Sequence, residues 1–253
     1  MAIEFSDLQD LIVVAGHAVR KTRKVVNPES DREWYLLDYQ KGEPPFYIEH
    51  IRRGIVFATH NQRALLIFSG GKTRPKVNRS EAESYLHVAE HYRWWLGHLR
   101  AAKRRELDIP GRTVPEERAR DSFENLLFGI CKFQQVAGKY PHTITVVSWA
   151  FKQARFDWHR QVIRFPSNRF RFEPFNDPID ITGAKNGEAR AFSDWAASWY
   201  GETGRLKKLR KARTDPDWVN PYTTCPDLTD FFNFIRKPEN ERVPYPNRLP
   251  WEN

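Results

Sequence analysis

Apolar residues fill the chain from Leu11 to Ala15 without interruption and stop at Gly16-His17. A short run with no polar alternation suits a strand covered on both faces of a parallel sheet. Phe46, Ile48, Ile51, Ile55 and Ala58 then recur at helical spacing, and a second apolar run, ALLIFS, opens at Ala64 and reaches Ser69-Gly70-Gly71. Ser80, with Glu83 three residues on, predicts a capping box and a helix carrying Tyr85, Leu86, Ala89, Tyr92 and Leu96. The charged stretch from Arg100 to Arg112 predicts a surface loop. A third helix is predicted from about Pro115, through Phe123, Leu126, Leu127, Ile130 and Phe133, to a stop at Gly138. Ile144 to Ser148 predicts a strand, Phe151 to Val162 a helix, and Phe170 to Phe172 a short strand.

This alternation of strand and helix predicts an α/β fold, a Rossmann-like three-layer sandwich built on a mostly parallel sheet with helices on both faces. Residues 1–200 are expected to form that domain. Residues 201–253, rich in Pro and aromatic side chains and without alternation, are expected to form a basic, irregular C-terminal extension packed on it. No internal repeat is visible.

Composition narrows the class. Of 253 residues, 40% are hydrophobic and 14% aromatic, too rich in core formers for a disordered chain. No apolar run approaches a membrane span, and MAIEFSDLQD lacks the basic start and apolar stretch of a secretory signal. Two cysteines, Cys131 and Cys225, indicate neither a disulfide framework nor a Cys-based zinc site, so a reducing, cytoplasmic setting is expected. The formal charge of +9, with basic clusters at Arg20–Lys24, Arg100–Arg105 and Arg205–Arg213, favours polyanionic partners.

The candidate chemistry lies where strands end, because ligands of open parallel sheets bind beyond the carboxyl ends of the strands. Gly16 and His17 follow the first strand. Ser69-Gly70-Gly71, with Thr73 and Arg74 and the capped start Ser80-Glu81, resembles a turn that lets backbone approach a ligand while the next helix offers its N–H groups to an anion. Read alone it is more simply a tight strand-to-helix turn, a preference that the neighbouring Thr73, Arg74 and capped helix reverse. Glu117, Asp121 and Asn125 stand at i, i+4 and i+8, with Glu124 beside Asn125, which is either a solvated stripe or a carboxylate cluster for acid–base work. Ser69 ends a strand as a nucleophile would, but no elbow motif or identifiable base supports that role. His87 and His91 fit a short H-x-x-E-H zinc pattern, yet lie nearly two turns beyond the helix cap, away from the strand ends, and no metal is expected.

Glu117 to Asn125, Thr145 to Ser148, and Phe151-Lys152 with Arg155, together with VAGHA and the SGGKTR/SEAES segment, resemble the ElyC/SanA/YdcF family, most nearly its eukaryotic, chiefly fungal, branch. The resemblance covers roughly residues 10 to 235. It implies a Rossmann-like domain, with Ser122, Glu124 and Asn125 matching the third motif and Ser148, Phe151, Lys152 and Arg155 the last. Where bacterial members carry His, this chain has Lys152. An ordinary lysine is already charged at neutral pH, so the exchange weakens a general-base role and strengthens anion binding. A bacterial relative's association with S-adenosylmethionine implies an adenosine-bearing ligand.

Three functions compete on these residues. In the leading one, an enzyme holds a phosphate- or adenosine-bearing ligand, a nucleotide or S-adenosylmethionine, by close approach at Gly16, Gly70 and Gly71. Arg74, Lys152 and Arg155 neutralise charge; Ser69, Thr73 and Ser148 supply hydrogen bonds; Asp121, Glu124 and Asn125 orient or deprotonate the reacting group. In the second, an aminoacyl-tRNA-dependent enzyme of the cyclodipeptide synthase type holds tRNA on its basic clusters. In the third, the chain senses a nucleotide without converting it.

Overall fold

The computed structural model describes residues 4–74, 77–214 and 217–252. Five parallel strands form the main sheet: β1 (Asp10–Ala15) at its centre, β4 (Ala64–Ser69) and β5 (Thr113–Glu116) to one side, β6 (Thr143–Ser148) and β7 (Phe170–Pro174) to the other. A two-residue antiparallel ribbon, β2 (Val19–Arg20) with β3 (Trp34–Tyr35), lies in the long connection after β1. The helices are α1 (Pro44–His60), α2 (Glu81–His91), α3 (Ala101–Leu107), α4 (Ser122–Ala137), α5 (Gln153–Val162), α6 (Ile181–Ala197), α7 (Gly204–Ala212) and α8 (Thr229–Ile235).

Both sheet faces are buried, as the unbroken apolar runs require. Leu11, Val13 and Ala15 of β1 meet α4, while Ile12 and Val14 pack with α1 and α2 residues such as Ile51 and Tyr85. The chain leaves the centre of the sheet to build one half and returns beside β1 to build the other. Connecting helices therefore diverge to opposite faces between β1 and β6, which opens a crevice at their carboxyl ends. This is the Rossmann-like three-layer α/β arrangement.

Element boundaries depart from expectation where tertiary contacts outweigh local pattern. Pro115 starts no helix; it lies in β5, an edge strand, where a residue without an N–H costs no central ladder bond. Helix α4 instead begins at Ser122 behind the N-cap Asp121, so Glu117 and Asp121 belong to the loop before it and not to one helical stripe. It ends at Gly138, whose left-handed backbone (φ 71°) stops the helix. Helix α2 stops at His91, because Arg93, Trp94 and Trp95 adopt left-handed backbone angles. The expected loop from Arg100 to Arg112 contains α3, and Arg112 is not at the surface at all.

The Arg112 guanidinium is 1% exposed and donates to four carbonyls: Leu107 O at 2.8 Å, Asn61 O at 2.9 Å, Ala64 O at 2.7 Å, and Ala58 O. It thereby ties the end of α1, the start of β4 and the end of α3 together. Arg112→Ala strips partners from these buried acceptors and is expected to lower stability by about 3 kcal/mol or more, read as the urea midpoint at constant slope.

Among the described residues from 201 on, the extension is mostly irregular, as expected, and carries the two short helices α7 and α8. Helices α6, α7 and α8 supply Trp195, Leu206, Phe231 and Phe232 to the core cluster of α4, joined by Tyr222, Tyr245 and Trp251. No helix among the described residues is long and apolar enough to cross a membrane.

Candidate functional site

A cavity of about 490 Å³ opens at the carboxyl ends of β1 and β6. Its floor is Ala15, the last residue of β1, with Gly16 and His17 after it. One wall is Trp149, Phe151, Lys152 and Arg155, following β6. Asp121, Ser122 and Asn125 at the start of α4 form a second wall, and Thr73, Arg74 and Glu81 a third. Distant chain segments thus converge at the position where this sheet topology places ligands.

The β1–β6 side is cationic and partly unsatisfied. Lys152 Nζ lies 3.2 Å from His17 Nδ1. Burial, reinforced by the neighbouring Arg155 charge, pulls the Lys152 ammonium down to about 7, so it exchanges a proton near neutrality. Burial also lowers the imidazole of His17 well below its ordinary value, with Lys152 and His50 adding to the effect. His17 Nε2 and Arg155 Nε are buried without a hydrogen-bond partner. Arg155 Nη2 donates to Glu188 Oε2 of α6 at 2.5 Å.

The opposing side is acidic. Glu81 is raised from its ordinary value by burial, offset in part by the Thr73 hydroxyl, which donates to its Oε1 at 2.5 Å. Gly16 and Gly70 explain how this carboxyl fits. A Cβ on Gly16 would stand 2.6 Å from the Glu81 Cβ, and one on Gly70 would stand 2.6 Å from Glu81 Oε2, at a backbone φ of 157° that side chains avoid. The two glycines thus make room for a carboxyl of the protein itself. Glu43, raised by burial, accepts from Tyr47 Oη at 2.6 Å on the same side.

Several expected roles are taken by internal bonds. The N–H groups opening α2 are occupied: Glu81 N donates to Gly71 O, Ala82 N to Gly70 O, and Glu83 N to Ser80 Oγ. Ser80 Oγ in turn donates to Glu117 Oε1 at 2.8 Å. No anion seat therefore remains there, and Gly70, Gly71 and Ser80 lie behind the cavity wall. Gly71 packs against the carbonyls of Glu117 and Ala119. Ser69 is fully buried, its hydroxyl 3.0 Å from both Glu116 Oε2 and Asn125 Oδ1, which places no nucleophile in the cavity at this position. Ser148 is fully buried outside the lining, with its Oγ unpartnered.

Asp121 and Glu124 are engaged by arginines. Burial alone would raise Asp121, but Arg210, whose Nε donates to Oδ2 at 2.6 Å, holds it below the usual carboxylate range. Glu124 pairs with Arg120 at 2.5 Å and stands 3.6 Å from Arg210. Both carboxylates anchor the start of α4 rather than facing a substrate as free bases.

Other contributors escaped the sequence reading. Glu116, at the end of β5, is pushed up to about 7 by burial, while backbone N–H groups, Ser69 and Tyr222 moderate it. Its network holds Asn125 in place. Asp180, Gly183, Ala184, Gly187 and Ala191 place one small-residue face of α6 along the cavity, a stripe too weakly apolar to read as a wall. The basic segment Arg205–Arg213 divides: Arg210 and Leu206 are buried, Arg205 pairs with Asp194, and Arg213 donates to Arg120 O at 2.7 Å. Lys207, Lys208 and Lys211 remain exposed. Among the described residues no group of His, Cys, Asp and Glu is placed to hold a metal ion.

Fold and site together define a Rossmann-like α/β protein with a polar, doubly charged cavity at its strand ends. No family model matches the chain, and no solved structure matches it. It is similar to the uncharacterized protein YOR238W of Saccharomyces cerevisiae, 24% identical over an alignment of 265 positions, gaps included, that covers 84% of this chain and 86% of the yeast protein.

Proposed function

We propose that this chain is an enzyme that binds a small phosphate-bearing ligand of the nucleotide class in the cavity between the ends of β1 and β6. The observation that carries this reading is the convergence of Lys152, Arg155 and His17 at the crevice, with buried Arg155 Nε and His17 Nε2 lacking partners that an anionic ligand would supply. A volume of about 490 Å³ suits a mononucleotide-sized molecule. Glu43 and Glu81 on the facing side accept from hydroxyl or amino groups such as those of an adenosine moiety. On this reading the chain stands with the ElyC/SanA/YdcF family, acts in the cytoplasm, and takes a nucleotide or S-adenosylmethionine as its natural ligand. Transfer RNA is the weaker partner, because within the Arg205–Arg213 cluster Arg210 is buried, Arg205 is paired with Asp194 and Arg213 donates to Arg120 O.

Native mass spectrometry of freshly purified protein, followed by titration of AMP, ADP and inorganic pyrophosphate, tests the reading. A phosphate-bearing adduct or micromolar binding is expected in the wild type, weakened about 100-fold in Arg155→Met. No binding of any of the three at millimolar concentration, or equal binding by Arg155→Met, would overturn it.

A further inference from the structure

Ser122, the first residue of α4, lines the same cavity and is otherwise 9% exposed. Its Oγ lies 2.8 Å from Nε2 of His159, a residue of α5 that is fully buried. The imidazole is fixed by edge-on contacts with Trp195 (ring centroids 4.5 Å apart), Phe123 (5.6 Å) and Phe156 (5.9 Å). Its Nδ1 is buried without a partner. The pair places a hydroxyl bonded to a buried imidazole at the cavity wall, an arrangement that packing alone does not require.

Burial, with Arg155 adding repulsion, lowers His159 well below its ordinary value, which leaves the ring neutral and able to accept a proton at neutral pH. Ser122 also stands where a helix begins. Glu124 N and Asn125 N are already bonded to Asp121, whereas the N–H groups of Ser122 and Phe123 have no acceptor among the described residues. Two N–H groups beside a hydroxyl that is paired with a neutral imidazole make the arrangement of an activated serine, with donors for charge developing on the group it attacks.

We propose that Ser122 is a nucleophile, activated by His159, toward a phosphoester or phosphoanhydride held by Arg155 and Lys152; this deepens the binding reading and rests on it. Ser122 Oγ forms a bond to phosphorus as the bond from phosphorus to the leaving oxygen breaks. The Oγ proton passes to His159 Nε2 and then to that leaving oxygen. Water, deprotonated by His159 Nε2, next attacks phosphorus; the bond from phosphorus to Oγ breaks, phosphate leaves, and the proton returns from His159 to Ser122 Oγ.

An alkyl fluorophosphonate tests the dyad independently of the natural substrate, since attack expels fluoride and leaves a stable phosphonyl adduct. The expected result is one adduct per chain, mapped to Ser122 by peptide mass. It should be absent in Ser122→Ala, slowed at least 100-fold in His159→Gln, and slowed by saturating pyrophosphate. Should His159→Gln fail to melt cooperatively, the site of modification in the wild type and its loss in Ser122→Ala decide. An unmodified wild type, or an adduct on another residue, would overturn the dyad while leaving pyrophosphate binding to stand. Labelling of Ser122 that pyrophosphate does not slow would remove the dyad from the anion cavity and overturn the proposal as stated.

Discussion

Arg210→Ala is expected to lower folding stability by about 3–5 kcal/mol, because it leaves buried carboxylates without their counter-charge. Arg210 is 5% exposed, bonds Asp121 Oδ2 at 2.6 Å and Glu202 Oε1 at 2.8 Å, and stands 3.6 Å from Glu124 Oε1. It also donates to Tyr200 O at 2.6 Å. One side chain of α7 thus joins the C-terminal third to the start of α4. A depressed Asp121 contributes stability that is present above its unfolded value near pH 4 and lost as the pH falls through the folded one. The wild type and Arg210→Ala should therefore converge in acid. Urea midpoints at pH 7 and pH 3 measure both effects; an equal difference at the two pH values would mean that the Asp121 pair is not its source.

Lys152→Met should move stability and binding in opposite directions. The folded ammonium titrates at about 7 against an ordinary 10.5. Below about pH 7 both folded and unfolded chains hold the proton, and the folded chain bears the full cost of a buried charge. From there to about 10.5 the unfolded chain binds more protons, so wild-type stability rises with pH. The methionine variant should accordingly be more stable at pH 6, by on the order of 3 kcal/mol, and lose this advantage by pH 10. Its affinity for pyrophosphate should fall on the order of 100-fold. Relative to Lys152→Arg, which stays charged, wild-type affinity should decline as the pH rises above about 7. A destabilised methionine variant at pH 6, or wild-type and arginine forms with parallel pH profiles, would contradict this role.

The sheet was legible wherever a strand is covered on both faces. Leu11–Ala15 and Ala64–Phe68 announce themselves as unbroken apolar runs and Ile144–Val147 as a β-branched one, and the strand ends led directly to Gly16, His17, Lys152 and Arg155 in one cavity. β5 was not legible, because four residues at a sheet edge that include Pro115 and Glu116 carry no apolar run. The glycine turn was found but its beneficiary was not: Gly16 and Gly70 admit Glu81, a contact that exists only once β1 and β4 are adjacent. Arg210 and Arg112 read as surface charge for the same reason, since their partners lie far along the chain. The Ser122–His159 pair, 37 positions apart, has no local pattern to betray it.

Crystals grown with inorganic pyrophosphate, compared with crystals grown without it, locate the ligand directly. Difference density bridging Lys152 Nζ and the Arg155 guanidinium, at the ends of β1 and β6, is the expected result. Density confined to the start of α2 or the exposed lysines of α7, with the β1–β6 crevice unchanged, would contradict the assignment of that cavity as the anion site.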